Sequence, residues 1–347
     1  MLKQFRLTSL ARMLAALVGL TALVTNARAE DARAFFKGKH ITILIPFAPG
    51  GGYDAYARLL APHFGKYLDA QFIIKNMPGG GGLLALGQLA AAKPDGTTIM
   101  LAEGAGAALA QLQERSSVRY DLLKVGHLGT VAESPWLVLT SPKLDIKTLD
   151  DLIKKGKSGL SWAATGPAAA LASGPKMACD VLGMDKCKIV LGYKGSAAAA
   201  LAVAKGEMDA MYVSDTSAEK YVNNGDLVPI VVFGRKRSRY IPATATIFEM
   251  RKLSKDDEWI IDFFSNMQAL GRILIVTQGT PPDRLKLLQD MTKAVLTDPA
   301  VVAESEKRRR EIVYSDGETT KRNVESVLKI DSPEKKKRAL SVLNVEG

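Results

Sequence analysis

The chain has 347 residues, 47% hydrophobic and 24% charged, which allows two globular domains and excludes a disordered chain. The formal net charge is +11 at pH 7, and part of the excess lies in two C-terminal runs, Lys307–Arg310 and Lys335–Arg338. Such runs are compatible with binding to nucleic acid or an anionic surface. A solvated helix face is the simpler interpretation, so we expect no nucleic-acid partner.

The N-terminus has the parts of a secretory signal peptide. Three basic residues precede the apolar run Met13–Val24, and an A-x-A cleavage site ends at Ala29. About a dozen apolar residues fall short of the roughly 20 that span a bilayer, which disfavours a membrane anchor. We expect an exported, soluble protein that begins near Glu30. Removal of residues 1–29 takes away four basic residues and no acidic one, which lowers the formal charge from +11 to +7.

The first predicted βα unit contains a glycine turn. Ile41–Ile45 predicts a buried strand, Gly50–Gly52 a turn with bare backbone N–H groups, and the next helix starts close to Asp54. Unpaired N–H groups and the helix dipole both favour an anion at such a turn. A tight connection that binds nothing is the open alternative, because a glycine cluster alone is a weak motif.

The alternation of strand, turn and helix continues along the chain. A strand is predicted at Gln71–Ile74, a second glycine turn at Gly79–Gly82, a helix at Leu83–Ala92 and a further strand at Thr97–Leu101. Regular alternation favours a largely parallel sheet covered by helices. Ligands of such sheets bind at the carboxyl ends of the strands, so the two glycine turns are expected at one edge.

A second alternation of the same kind predicts a second α/β domain. Its loops at Thr165, Lys194–Ser196 and Ser214–Thr216 carry short polar groups at helix starts. These loops are therefore candidates for the other wall of a binding site.

The chain is expected to cross between the two domains twice, near residues 131–138 and within residues 233–275. Domain 1 then comprises residues 30–132 together with 245–347, and domain 2 comprises residues 133–244. This is the plan of a hinged protein whose cleft closes on a solute.

Cys179 and Cys187 are the only cysteines. In an oxidising compartment they could close a local disulfide, and free buried thiols are the alternative. The three histidines are scattered without the spacing of metal ligands, so neither a metal nor another cofactor is expected.

Five runs, taken in order, carry a family resemblance. They are ITILIPFAPGGGYDAYARLLAPHF, IIKNMPGGGGLLALGQLAAAKPDGTTIML, SPWLVLTSPKLDIKTLDDLIKKGK, GYKGSAAAALAVAKGEMDAMY and TPPDRLKLL. Together they resemble the substrate-binding receptors of tripartite tricarboxylate transporters, also called the Bug family. The resemblance implies a type II-like periplasmic binding protein of two α/β lobes, each a mostly parallel sheet flanked by helices. Such a protein closes on a small di- or tricarboxylate or aromatic acid and delivers it to membrane permease subunits.

The resemblance also implies the ligand-binding residues. They are Phe47, Ala48, Pro49, Gly50, Gly51, Gly52, Gly79, Gly80, Gly81, Lys194, Gly195 and Ser196, with Thr165, Ser214 and Asp215 as further candidates. Asp54 is expected to hold the first glycine turn and to cap the helix. The run Ala164–Ala172 departs from the family's GxGTxxHLA pattern, and Val213–Asp215 replaces its usual acidic and amide pair. The identity of the solute therefore stays open.

An enzyme and a signalling receptor are the alternatives. Gly104 and Gly106 follow a strand but lack the third glycine of a dinucleotide motif, and Gly156–Ser158 lacks the first glycine of a phosphate loop. Without a nucleophile elbow or a C-x-x-C motif, we expect no catalytic residue. The same fold could instead present its solute to a two-component sensor kinase. We expect a monomer in either role.

Overall fold

The computed structural model describes residues 32–345, so the signal peptide predicted at residues 1–29 lies outside the described residues. The strands are β1 (His40–Ile45), β2 (Gln71–Asn76), β3 (Thr98–Glu103), β4 (Gly126–Ala132), β5 (Trp136–Thr140), β6 (Leu160–Ala163), β7 (Cys187–Val190), β8 (Ala210–Ser214), β9 (Val228–Val232), β10 (Arg272–Val276) and β11 (Ser315–Asp316).

The α-helices alternate with these strands. They are α1 (Gly52–Leu68), α2 (Leu83–Ala90), α3 (Gly104–Leu112), α4 (Leu149–Ser158), α5 (Ala170–Val181), α6 (Ser196–Lys205), α7 (Asp215–Asn223), α8 (Ile247–Met250), α9 (Lys255–Gln268), α10 (Pro282–Leu296), α11 (Pro299–Lys307), α12 (Gly317–Leu328) and α13 (Pro333–Leu343). A single 3₁₀ turn, Gly80–Gly82, precedes α2. No helix among residues 32–345 is long and apolar enough to cross a bilayer.

The strands form two sheets, one in each lobe. The strand order is β11-β4-β10-β3-β1-β2 in the first sheet and β7-β6-β8-β5-β9 in the second. In the first sheet β10 lies antiparallel between β3 and β4, and in the second β5 lies antiparallel between β8 and β9. The other main strands of each sheet run in one direction. The predicted class, two α/β lobes each built on a mostly parallel sheet, is confirmed.

The central strands are apolar because helices cover both faces of each sheet. In β1, Ile41, Ile43 and Ile45 pack into one hydrophobic cluster together with Phe64 of α1. Leu44, which points the other way, belongs to the cluster on the opposite face. A strand buried on both sides therefore reads as a continuous apolar run.

The first crossing between the lobes is residues 133–135, which join β4 to β5. The second lies between β9 and β10 and contains α9, which packs against α3 of the first lobe and α5 of the second. The first sheet thus takes strands from both ends of the chain. The domain boundaries at residues 132 and 245 remain a prediction.

Lobe 2 contains a disulfide between Cys179, at the end of α5, and Cys187, at the start of β7. The last described helix, α13, packs on α5, and its Arg338 forms salt bridges with Asp180, Asp256 and Asp257. The charged C-terminal run is thus in part an ion-pair network between α13 and its neighbours.

Candidate ligand-binding cleft

The first glycine turn, residues 46–52, is held by side chains beside it. The backbone N–H of Gly50 donates to Asp54 Oδ2 at 3.0 Å, and the Asn76 amide donates to the Phe47 carbonyl at 2.9 Å. Burial tends to raise the pKa of Asp54, but hydrogen bonds from Arg58 and Gly50 outweigh it and hold that pKa below its usual value. Asp54 lies in the first turn of α1 and is not its N-cap, which is a glycine without a side-chain hydrogen bond.

The second glycine turn meets lobe 2 closely. A Cβ atom added to Gly166 would lie 2.2 Å from the backbone nitrogen of Gly81, and one added to Gly81 would lie 2.8 Å from the nitrogen of Ala169. Gly81 also has φ +70°, which favours glycine. The backbones of the two lobes therefore approach each other closely here.

The lobe 2 turn Lys194–Ser196 faces the first glycine turn. The Ala48 N–H donates to the Lys194 carbonyl at 2.7 Å, and a Cβ atom on Gly51 would lie 3.4 Å from Ser196 Oγ. The residues predicted on both sides of the cleft are thus brought together. The Ala48 N–H, expected to be free for a ligand, instead bonds across the lobes in this arrangement.

The remaining predicted residues differ in their surroundings. Pro49, Gly50, Gly79 and Gly80 are exposed at the rim of the cleft. Thr165 is buried beside the second glycine turn, and its hydroxyl has no partner among residues 32–345. Asp215 lies towards the hinge, where its carboxylate accepts from Ser238 Oγ at 2.8 Å and from the Thr216 N–H.

Arg272 is a buried cation that the sequence analysis did not single out. It is 3% exposed and lies against the rings of Tyr53 and Tyr56, with the guanidinium carbon 5.0 and 4.8 Å from the ring centroids. Its Nη2 donates to Ser214 Oγ and Thr216 Oγ1, each at 3.1 Å. A guanidinium of lobe 1 is therefore bonded to hydroxyl groups of lobe 2.

Glu103 is the second residue that was missed. It ends β3, is 5% exposed, and its Oε1 accepts the backbone N–H of Ala170 at 3.0 Å. Burial raises the pKa of Glu103 to about 7, against a smaller lowering by the Ala170 N–H and by Arg272. The available signal was its place at the carboxyl end of a parallel strand, where ligands are expected.

Two of the cavities between the lobes are lined by predicted site residues. The larger, of about 200 Å³, lies between Pro46, Phe47, Pro78 and Gly79–Gly81 of lobe 1 and Thr165 and Gly192–Lys194 of lobe 2. The smaller, of about 20 Å³, is lined by residues of both lobes, which are Phe47, Tyr53, Glu103, Trp136, Leu171, Ser196, Val213, Ser214 and Ser217. That volume holds a single water molecule. A solute of several heavy atoms therefore reaches this smaller cavity, beside Glu103 and Ser214, only when the lobes move apart. Residues 32–345 contain no cluster of three or more side chains that could hold a metal ion.

The fold and the cleft agree with comparisons to known proteins. The family profile described as the tripartite tricarboxylate transporter family receptor matches residues 56–340. The chain belongs to this receptor family. The membership predicted from the sequence motifs is confirmed.

Relatives match most of the chain in sequence, and solved structures match it in fold. A UPF0065 protein of Bordetella pertussis is 27% identical over 291 residues, which are 83% of this chain and 84% of the relative. The periplasmic binding protein BugD matches with TM-score 0.75 and 21% identity over 88% of this chain and 98% of its own. MatC of Rhodopseudomonas palustris, solved with bound malate, matches with TM-score 0.69 and 21% identity over 88% and 99%. These likenesses confirm the two-lobe periplasmic-binding-protein fold.

Proposed function

We propose that this receptor captures a small carboxylate in the periplasm, after cleavage near Ala29, and delivers it to the permease subunits of a tripartite tricarboxylate-type transporter. One observation carries the proposal. The first glycine turn of lobe 1 and the Ser214–Thr216 turn of lobe 2 meet at a buried arginine, Arg272, that has no salt bridge among residues 32–345. The malate bound by MatC, a related protein, is a small carboxylate and supports this class of ligand.

The cleft offers the donors that a carboxylate needs. The candidate donors are backbone N–H groups of the two glycine turns and of Lys194–Ser196, with the hydroxyls of Thr165, Ser196 and Ser214. Hydrogen bonds to a charged group contribute about 1.5–3 kcal/mol each, so a few of them support micromolar binding. Arg272 adds a fixed positive charge in surroundings that exclude water.

Binding is coupled to movement of the lobes. In the arrangement described here the Ala48 N–H is bonded to Lys194 across the cleft, and the cavity beside Glu103 and Ser214 has room for one water molecule. An entering solute replaces such direct contacts by contacts of its own with both lobes. The liganded closed state then becomes favoured because the solute binds it better than the open state. We assign the cleft to binding and not to catalysis, and we expect the receptor to act as a monomer.

A thermal-shift screen tests the binding. The protein that begins at Glu30 is mixed with mono-, di- and tricarboxylates, including aromatic acids. A true ligand at about 100 times its Kd raises the midpoint by about 4 °C for a chain of this size. A screen in which every carboxylate leaves the midpoint unchanged contradicts the proposal.

Two glycine variants locate the effect in the cleft. Gly166→Ala places a methyl group 2.2 Å from the Gly81 nitrogen, which prevents the lobes from closing and should abolish the ligand-induced shift. Gly87→Ala, at a helix position with no atom within 4 Å, is the matched control and should keep the full shift. Equal shifts in both variants would place the site elsewhere.

The transporter partner needs its own measurement. Uptake of the identified solute by cells should fall when the gene for this receptor is deleted and return with the wild-type gene. Normal uptake together with a lost transcriptional response would instead favour the sensor-kinase role.

A further inference from the structure

One carboxylate of the protein already lies at an anion position in the cleft. Glu103 extends from the end of β3 in lobe 1, and its Oε1 accepts the N–H of Ala170, the first residue of α5 in lobe 2. The N-terminus of a helix favours a negative group because its N–H groups are unpaired and its dipole is positive there. Glu103 therefore has the contact with lobe 2 that the carboxylate of a solute could make.

The second oxygen of Glu103 has no partner. Oε2 is buried and receives no hydrogen bond from any residue between 32 and 345. It lies 2.9 Å from the point where a Cβ atom on Gly106 would be. A buried carboxylate oxygen without a donor costs free energy, whereas a ligand that brings an N–H or O–H group removes that cost. This oxygen points to a ligand that carries a donor.

The charges around Glu103 limit what else a ligand can carry. The groups that face it are Arg272 from β10 and the Tyr53 hydroxyl from α1, while α5 offers backbone N–H groups and no charged side chain in its first turn. A small cavity between Glu103 and Arg272 is also lined by Ser134, Trp136 and Gln268. One ligand carboxylate is balanced by Arg272. A second one would meet the Glu103 carboxylate in a buried, poorly hydrated space.

We propose that the Glu103 carboxylate takes the place of one of the two carboxylates that a dicarboxylate solute would bring into the cleft. The receptor then selects solutes with a single carboxylate and a hydrogen-bond donor, an ammonium or an amide, at the other end. This inference rests on the proposed function and names the solute class for the same cleft. Glu103 is thus a specificity-determining residue.

Matched sets of solutes test the preference at pH 8, where Glu103 is ionised. The first set is succinate, 4-aminobutyrate and succinamate, and the second is adipate, 6-aminohexanoate and adipamate. The unmodified protein should bind at least one ammonium or amide member about tenfold or more tightly than its matched dicarboxylate, as measured by calorimetry. This comparison needs no variant. Tighter or equal binding of the dicarboxylate in both sets overturns the inference.

Glu103→Gln tests the residue itself. Its amide oxygen can still accept the Ala170 N–H, while its NH₂ group replaces the orphan oxygen by a donor, so the preference should reverse toward the dicarboxylate. Glu133→Gln is the matched control because Glu133 is half-buried in a groove on the hinge side, and it should keep the wild-type preference. An unchanged preference in Glu103→Gln overturns the inference.

The outcomes separate this inference from the function on which it rests. If carboxylates bind without any preference for a donor, Glu103 is not the determinant and the receptor function stands. If neither these solutes nor the wider carboxylate screen stabilises the protein, the receptor function fails and this inference fails with it.

Discussion

Arg272 and Glu103 stand opposite each other on neighbouring strands, Arg272 as the first residue of β10 and Glu103 as the last residue of β3. Directly opposite residues in an antiparallel pair place their side chains on the same face of the sheet. Within the described residues 32–345, these two charged side chains nevertheless do not form a salt bridge with each other. Each bonds to lobe 2 instead, Glu103 to Ala170 and Arg272 to Ser214 and Thr216. This pair therefore ties the lobes together inside the cleft.

The raised pKa of Glu103 predicts a pH dependence of stability. Its pKa is about 7 in the folded protein against 4.5 for a free side chain, because burial disfavours the charged form. The folded state therefore retains a proton that the unfolded state releases between pH 4.5 and 7, and the free energy of unfolding falls as pH rises through this range. The loss is about 3 kcal/mol in order of magnitude.

Glu103→Gln isolates this contribution. The unfolding free energies of wild type and variant are measured by urea titration at pH 4.5 and pH 8. Relative to the variant, the wild type should lose about 3 kcal/mol of unfolding free energy between these two pH values. A difference that stays constant over this range would contradict the prediction. Glu207→Gln, at an exposed position, serves as the control.

Replacement of Arg272 by lysine keeps the charge and removes the guanidinium geometry. Lysine cannot reach Ser214 and Thr216 while it also stacks between two tyrosine rings, so unfolding free energy should fall by about 2 kcal/mol. Carboxylate affinity should fall about tenfold or more. Urea unfolding and calorimetry measure the two effects. Arg251→Lys, at an exposed position, is the control and should change neither the stability nor the affinity. Wild-type affinity in Arg272→Lys would show that Arg272 does not contribute to the site.

Gly106 allows the lobes to approach. A Cβ atom there would lie 2.6 Å from the Ala168 carbonyl of lobe 2 and 2.9 Å from Glu103 Oε2. Gly106→Ala should hold the lobes apart, which increases the radius of gyration of the liganded protein in small-angle scattering and weakens solute binding. The helix itself should not suffer, because alanine is the better helix former. Gly87→Ala is the control and should have the radius of gyration and the affinity of the wild type. A Gly106→Ala variant that stays compact and binds the solute tightly would show that close approach at Gly106 is not needed for closure.

The disulfide is expected to stabilise lobe 2 without acting on the solute. Cys179 and Cys187 join α5 to β7, a short loop whose closure contributes about 2–3 kcal/mol in the chain-entropy model. Reduction by dithiothreitol should lower the unfolding free energy by that amount and leave carboxylate affinity unchanged. The variant with both cysteines replaced by serine should not respond to the reductant. A large drop in affinity on reduction would show that the bond positions the cleft.

Much of the fold followed from local patterns. The strand predicted at Ile41–Ile45 is present as an apolar run, and both glycine turns stand between a strand and a helix, as their sequences indicate. The helices α3 and α9 were not predicted. Gly104 and Gly106 at the start of α3, which lack the full dinucleotide motif, lie against Leu270 and Ala168, where no Cβ atom fits.

The site was harder to predict than the fold. Sequence motifs indicated the turns that meet in the cleft, because glycine and short polar residues after strands are a local signal. Arg272 carries no such signal, because it begins a strand, and residues at strand starts lie at the edge away from the ligand in a purely parallel sheet. Only the antiparallel insertion of β10 moves this residue to the edge where β3 ends.

The sequence by itself determined the receptor family and the two-lobe plan of this protein and predicted its export, since a signal-peptide pattern, alternating strands and helices, and the order of the glycine motifs are all local features. The tertiary structure alone decided what the cleft contains. Residues 103, 170 and 272 are far apart along the chain, and their contact depends on how two sheets and a crossing strand are arranged in space. The charge of the cleft, and with it the proposed choice of solute, comes from that arrangement.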